Sequence, residues 1–193
     1  MQEQFKRLVK KIHPFLKQRG FLKTNLTFTR NRDEIIEVIN LQKSAYNTQQ
    51  DVRFYVNYGI YCAAYDEMID KRVIQKPKEY DCQIRLRIDA GKGFEMSVWT
   101  EDELCEVILS GIEQTLETFA PIQDAETVAT YLQKAQPFNY GLFEFFLKTA
   151  RQSQAMAGYE QAKQKFGQEE RWARIYANYE KVARKYSLKL EAD

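Results

Sequence analysis

Between residues 22 and 99 several runs carry apolar side chains at every second position, and from Thr100 onward they recur at every third or fourth. Alternate residues of a strand face opposite sides, whereas a helix brings one face round every 3.6 residues. From residue 22 on, the chain is therefore committed to a sheet first and to helices afterwards. "NLTFTR" alternates Leu26 and Phe28 with threonines. "EIIEVINLQ" is apolar on both parities as far as Leu41, as expected of a strand covered on both faces. "DVRFYVNYGIY" puts Val52, Phe54, Val56, Tyr58 and Ile60 opposite Arg53, Tyr55, Asn57 and Tyr61. "YDCQIRLRID" opposes Cys82, Ile84, Leu86 and Ile88 to Gln83, Arg85 and Arg87, and "GFEMSVWT" opposes Phe94, Met96 and Val98 to Glu95, Ser97 and Trp99. Short links between these runs suit antiparallel pairing, because parallel strands need a long crossover. "DAGKGFE" reads as a hairpin turn between the last two, since it lacks the spacing and following helix of a phosphate loop. The longer link at 62–79 contains "AAYDEMIDK", which reads as a short helix or a lip.

Before the strands, Phe5, Leu8, Val9, Ile12, Phe15 and Leu16 form one helical stripe with lysines opposite. Pro14 removes a hydrogen bond from that helix and predicts a kink or a restart, and Gly20 suits the left-handed residue that closes it, with Phe21 folding back as a cap contact. After the strands, "TEDE" is a capping box with Thr100 as N-cap. Leu104, Val107, Ile108, Ile112, Leu116 and Phe119 form the stripe that follows, and Pro121 ends it. Further helices are expected near 125–135, 139–152, 155–166 and 168–187. The fold class is α+β: an N-terminal helix, a five-stranded antiparallel sheet, and four to five C-terminal helices packed on it. Residues 1–120 are expected to form the core and 121–193 a helical extension packed with it as one compact unit.

The chemistry-bearing residues are few. There is one histidine, His13, beside Pro14 in a basic helix, and no G-x-S-x-G elbow frames a serine, so a nucleophilic triad has little to draw on. Cys62, Cys82 and Cys105 lack the paired spacing of a zinc site, and the first two fall in strand patterns as small hydrophobes. Asp66, Glu67 and Asp70 lack the ligand spacing of a calcium loop. No cofactor is expected. The charged N-terminus and the want of 18 consecutive apolar residues argue against a secretory leader or a membrane span, and three cysteines without C-x-x-C spacing suit a reduced cytoplasmic protein.

Two surfaces remain as candidates. The polar sheet face would present Arg53, Tyr55, Asn57, Tyr61, Arg85, Arg87 and Trp99, the guanidinium and aromatic mixture that interfaces favour, or else the C-terminal helices would bury it. Residues 1–32 hold nine Lys/Arg against Glu3 alone; Lys6, Arg7, Lys10, Lys11 and Lys17 form a basic patch that either tracks phosphates or is answered by acids elsewhere in the fold. In the tail, Phe143, Phe146, Trp172, Tyr176 and Tyr179 serve core packing by default and otherwise a docking or homodimer seam.

"HPFLKQRGFLKTNLTFTR", "VINLQKS", "FYVNYGIY" and "YDCQIRLRI", in that order and spacing, resemble the bacterial family catalogued as domain of unknown function 4304, over roughly residues 3–120. Gln42, Ser44, Asn57, Gly59, Cys82, Arg85 and Arg87 stand where the family pattern has its recognisable letters. The resemblance implies a small, bacterial, cytoplasmic protein and brings no activity with it. The expectation is a non-enzymatic protein-interaction module, of immunity-like, accessory or scaffold kind, whose partner is another protein or a second copy of itself. The alternative is nucleic-acid binding through the basic first helix. An enzyme using carboxylates alone or a metal is a third reading.

Overall fold

The computed structural model describes residues 2–48, 52–88 and 93–191. It divides into two compact units, one of Met1–Ala63 with Ile74–Asp124 and one of Ala64–Val73 with Ala125–Asp193. The elements follow in the order α1 (Gln2–Gln18), β1 (Leu22–Thr24), β2 (Thr27–Arg32), β3 (Ile35–Lys43), β4 (Arg53–Cys62), α2 (Ala63–Met68), a 3-10 turn (Glu79–Asp81), β5 (Ile84–Arg87), β6 (Phe94–Glu95) and α3 (Glu101–Phe119). Four helices complete the chain: α4 (Ala125–Ala135), α5 (Tyr140–Lys148), α6 (Gln152–Phe166) and α7 (Trp172–Lys185). The α+β reading holds.

In the first unit the sheet is antiparallel, in the order β1-β2-β3-β4-β5, with β6 also pairing β4. It has six strands rather than five, because Leu22–Thr24 forms a short strand ahead of β2. Asn25 and Asp33 sit at positive φ in the tight turns that follow β1 and β2, a conformation their short polar side chains tolerate. The expected last hairpin is not made. Both β5 and β6 are antiparallel to β4, so they run in the same direction along one edge. Residues 89–92 of that proposed turn lie outside the described residues. The last strand also stops at Glu95: Met96–Ser97–Val98–Trp99 turns toward α3, which removes Trp99 from the sheet register.

Register fixes the two faces. Phe28, Ile35, Ile39, Leu41, Phe54, Val56, Tyr58, Ile60 and Ile84 share an inner face and are buried. Phe5 of α1 meets Phe54 edge-on at 5.0 Å, and Phe119 of α3 meets Tyr58 at 5.4 Å, so α1 and α3 supply the cover. Cys82 departs from its expected side. It precedes β5 and packs on Val38 and Tyr61 on the outer face, because the 3-10 turn carries it across.

The helix ends follow from their residues. Gly20 (φ 84) closes α1, with its N–H donating to Lys17 O and that of Phe21 to Leu16 O at 3.0 Å, and Phe21 folds in and is buried. Pro14 neither breaks nor restarts α1, which runs through it. It sits on the exposed side, as does Lys10, whose carbonyl loses its helical donor, so water can serve that group. The capping box of α3 is formed: Thr100 Oγ1 accepts from Glu103 N and the Glu103 carboxylate accepts from Thr100 N at 2.9 Å. Those bonds to Thr100 hold the Glu103 carboxyl below the usual glutamate range. A depressed folded value means stability that is present above the unfolded value and lost as pH falls through the folded one. Thr100→Ala should cost about 1 kcal/mol. It should also lessen the loss of stability on acidification, measured by urea titration at two pH values.

The second unit is built on aromatic side chains. Tyr140, Phe143 and Tyr159 surround Tyr179 with edge-to-face rings at 4.8–5.4 Å, and Tyr65 of α2 stacks on Phe145 at 5.1 Å. Phe143, Phe146 and Tyr179 are buried within this unit, whereas Trp172 and Tyr176 are half-buried. Asp70 binds Lys148 at 2.8 Å, and Glu144 binds Lys185 at 2.6 Å. No helix among the described residues is long and apolar enough to cross a membrane.

Candidate functional site, the outer face of the sheet

The same register that buries Phe54 and Tyr58 aligns Thr24, Thr27, Asn40, Asn57 and Arg87 in one row across five strands on the outer face. Asn40 Nδ2 donates to Thr27 Oγ1 at 2.8 Å, and Asn57 Nδ2 donates to Gln42 Oε1 at 2.9 Å. The chain from Gln75 to Tyr80 stands over one side of this face and closes a groove of about 700 Å³. Its floor is Thr24, Thr27, Thr29, Asn31 and Asn40, with Leu22 and Tyr80 exposed at its rims. The threonines and asparagines of the floor offer donors and acceptors together, Ile36 adds an apolar side chain beside Asn31, and the wall contributes Lys76, Lys78 and Glu79.

The wall is held in place by buried contacts. Tyr61 is wholly buried, and its hydroxyl accepts from Ile74 N at 2.7 Å. Cys82 lies against Gly59, where no Cβ has room. The Gln83 amide bonds both the N–H and the C=O of Cys62.

Of the seven residues expected on this face, the structure therefore brings six together and uses them differently. Asn57 and Tyr61 are buried: Tyr61 holds the wall through Ile74 N, and Asn57 bonds Gln42 beyond the groove floor. Arg53 is ion-paired with Glu95. Tyr55 is half-buried under Arg87, whose guanidinium lies 4.2 Å from its ring centre. Arg85 and Arg87 are exposed and pair with no carboxylate among the described residues; Arg85 Nη1 donates to Tyr80 O at 3.4 Å. Trp99, off the sheet, is partly exposed in the turn before α3.

The basic patch is mostly answered by acids. Arg7 and Lys11 bind Glu101 at 3.0 and 3.2 Å, Lys11 also binds Asp102 at 2.6 Å, and Lys6 binds Glu3 at 2.7 Å. These bonds raise the Lys11 ammonium and lower the Glu3 and Glu101 carboxyls from their usual ranges, in the direction of mutual ionisation. Lys10 and Lys17 are exposed and form no ion pair among the described residues. Nor do the described residues gather three or more metal-ligating side chains. His13 is half-buried, its ring 6.1 Å from that of Phe28.

Sequence reading missed the groove. The alternation of Thr27, Thr29 and Asn31 with Phe28 and Arg30 was a signal for a wet face. Nothing local said that Gln75–Tyr80 would wall it. It also missed Glu37, a carboxylate with no exposed surface that accepts from Arg30 Nε at 2.7 Å and Tyr58 Oη at 2.8 Å.

The family model described as a domain of unknown function, DUF4304, matches residues 12–121, more than half of the chain. The chain belongs to the DUF4304 family. The matched stretch takes in all six strands and α3, and hence the groove, its wall, Arg85 and Arg87. Comparisons with curated proteins and with solved structures give no match.

Proposed function

We propose that this protein is a non-enzymatic protein-interaction module, immunity-like, accessory or scaffold in kind, that works in the bacterial cytoplasm through the outer face of its sheet. The observation that supports this is the walled groove, with an uncharged floor of threonine and asparagine and exposed Leu22 and Tyr80 at its rims. Interfaces of this kind place a polar, hydrogen-bonding floor beside one or two large anchors. A second copy of the chain or a different protein satisfies this chemistry equally.

Nucleic-acid binding through α1 is the weaker reading. Arg7, Lys11 and Lys6 would have to surrender carboxylate partners already at 2.6–3.2 Å, which leaves Lys10 and Lys17 as the free cations of that patch. Affinity built on neutralised phosphates scales with the number of free cations.

The test is capture from native lysate after nuclease treatment, comparing the wild type with Thr24→Arg/Tyr80→Ser. Both positions are exposed, so the fold should persist. A protein held near one-to-one by the wild type and lost at least tenfold by the variant is the expected result. Retention of the same protein by the variant, or recovery of nucleic acid alone, overturns the proposal.

A further inference from the structure

We infer that β5 is a docking edge for an extended acidic segment of a partner protein, added antiparallel to the sheet with carboxylates at alternate residues. This rests on the interaction-module reading and names the chemistry of its partner. The strand order ends on β5, which among the described residues has β4 as its one strand neighbour. Ile88 N donates to Val56 O at 2.9 Å, so Ile84, Leu86 and Ile88 are the residues that exchange bonds with β4. The main-chain N–H and C=O groups of Arg85 and Arg87 consequently point away from β4, on the side where no strand pairs among the described residues.

The side chains of the same two residues lie on the outer face, about 7 Å apart as alternate residues of one strand must be. Both are exposed and lack an acid among the described residues. Each is nevertheless held: Arg87 lies over the Tyr55 ring, and Arg85 reaches the Tyr80 carbonyl. A charge placed only to discourage edge pairing has no need to be fixed in this way. Fixed guanidiniums lose little freedom on meeting carboxylates and favour two-point contact. A strand paired antiparallel to β5 sets a residue directly opposite Arg85 with its main chain bonded to Arg85 and its side chain on the same face. Glutamate or aspartate there, and again two residues along, matches both arginines at once. The mode is strand addition, with main-chain bonds giving affinity and alternate side chains giving choice.

The experiment uses the full chain and a labelled octapeptide of alternating Glu and Thr with blocked termini, read by fluorescence anisotropy at low and at physiological salt. Expected are saturable binding, a loss of at least tenfold in Arg85→Glu/Arg87→Glu, and a similar loss when the Glu residues are N-methylated. N-methylation of the Thr residues should leave affinity within about twofold, because their N–H groups face outward. Equal binding of both methylated peptides, equal binding of a Lys-Thr peptide, unchanged affinity in the double variant, or no binding overturns the inference. The lysate experiment separates this from the broader reading. A partner lost by Thr24→Arg/Tyr80→Ser but kept by Arg85→Glu/Arg87→Glu leaves the module intact and removes the edge.

Discussion

Glu37→Ala should destabilise the sheet unit by about 3–5 kcal/mol, the largest effect expected from any single polar residue of this chain. The carboxylate has no exposed surface and lies at the centre of a network on the inner face. Arg30 reaches it through Nη2 at 2.6 Å and Nε at 2.7 Å, Arg32 Nε stands 3.5 Å away, and the Tyr58 hydroxyl donates to it at 2.8 Å. Burial and the neighbouring carboxylate push the Tyr58 hydroxyl far up, which keeps it protonated and donating. The two arginines extend the network to the helix ends. Arg30 Nη1 donates to Arg19 O just past α1, and Arg32 donates to Ala120 O and Ile122 O at 3.0 and 2.8 Å just past α3. Cations at those positions also meet the negative ends of the helix dipoles. Removing the carboxylate leaves the buried Tyr58 hydroxyl without its acceptor and Arg30 with the Arg19 carbonyl alone, and loosens both covering helices.

Controls separate this from cavity formation. Tyr58→Phe removes one hydrogen bond and should cost about 1 kcal/mol. Glu37→Leu with Arg30→Met replaces the pair by apolar groups of similar size and should recover a large part of the loss. Urea unfolding followed by Trp99 fluorescence, in a Trp172→Phe background, reports the sheet unit alone. A change below 1 kcal/mol for Glu37→Ala would sink the claim that this network holds the helices to the sheet.

Gly59→Ala should cost about 1–3 kcal/mol and should also weaken partner binding, because it moves the groove wall. A Cβ at this position would stand 2.7 Å from Cys82 Sγ, 2.9 Å from Cys82 Cβ and 3.4 Å from Ile84 O. Cys82 cannot withdraw freely. It packs on Val38 and Tyr61, and its thiol lies 3.4 Å from Lys78 O, which ties it to the segment lining the groove. Cys82→Ala removes the closest atom and should relieve part of the strain, so the two substitutions together should be less harmful than their sum. Strict additivity in that cycle would show that Gly59 matters through backbone freedom and not through close approach.

Much of the architecture was legible locally. Alternation over 22–95 and a 3.6 period after Thr100 are imposed by the side of the backbone on which each Cβ falls, and the caps at Gly20 and Thr100 are satisfied by residues next to them in sequence. The four longer strands, the helix order and the side of the sheet on which Arg53, Tyr55, Asn57, Tyr61, Arg85 and Arg87 fall follow from that; the short strand Leu22–Thr24 and the departure of Trp99 from the sheet do not. What failed was what needs partners far apart in the chain. The course of β5 and β6 along a single edge depends on which groups β4 leaves unpaired, not on the turn-like letters between them. Tyr61 and Asn57 carry the same polar signature as Arg85 and Arg87; Cys82 and the Ile74 N–H bury Tyr61, Gln42 engages Asn57, and the two arginines stay exposed without an acid among the described residues. Glu37 reads as an interruption in an apolar run until Arg30, Arg32 and Tyr58 converge on it. Sequence by itself determined the elements, because their periods are properties of the local backbone. Only the tertiary structure decided which polar groups are consumed inside and which remain to bind, because that depends on pairing between segments the sequence holds apart.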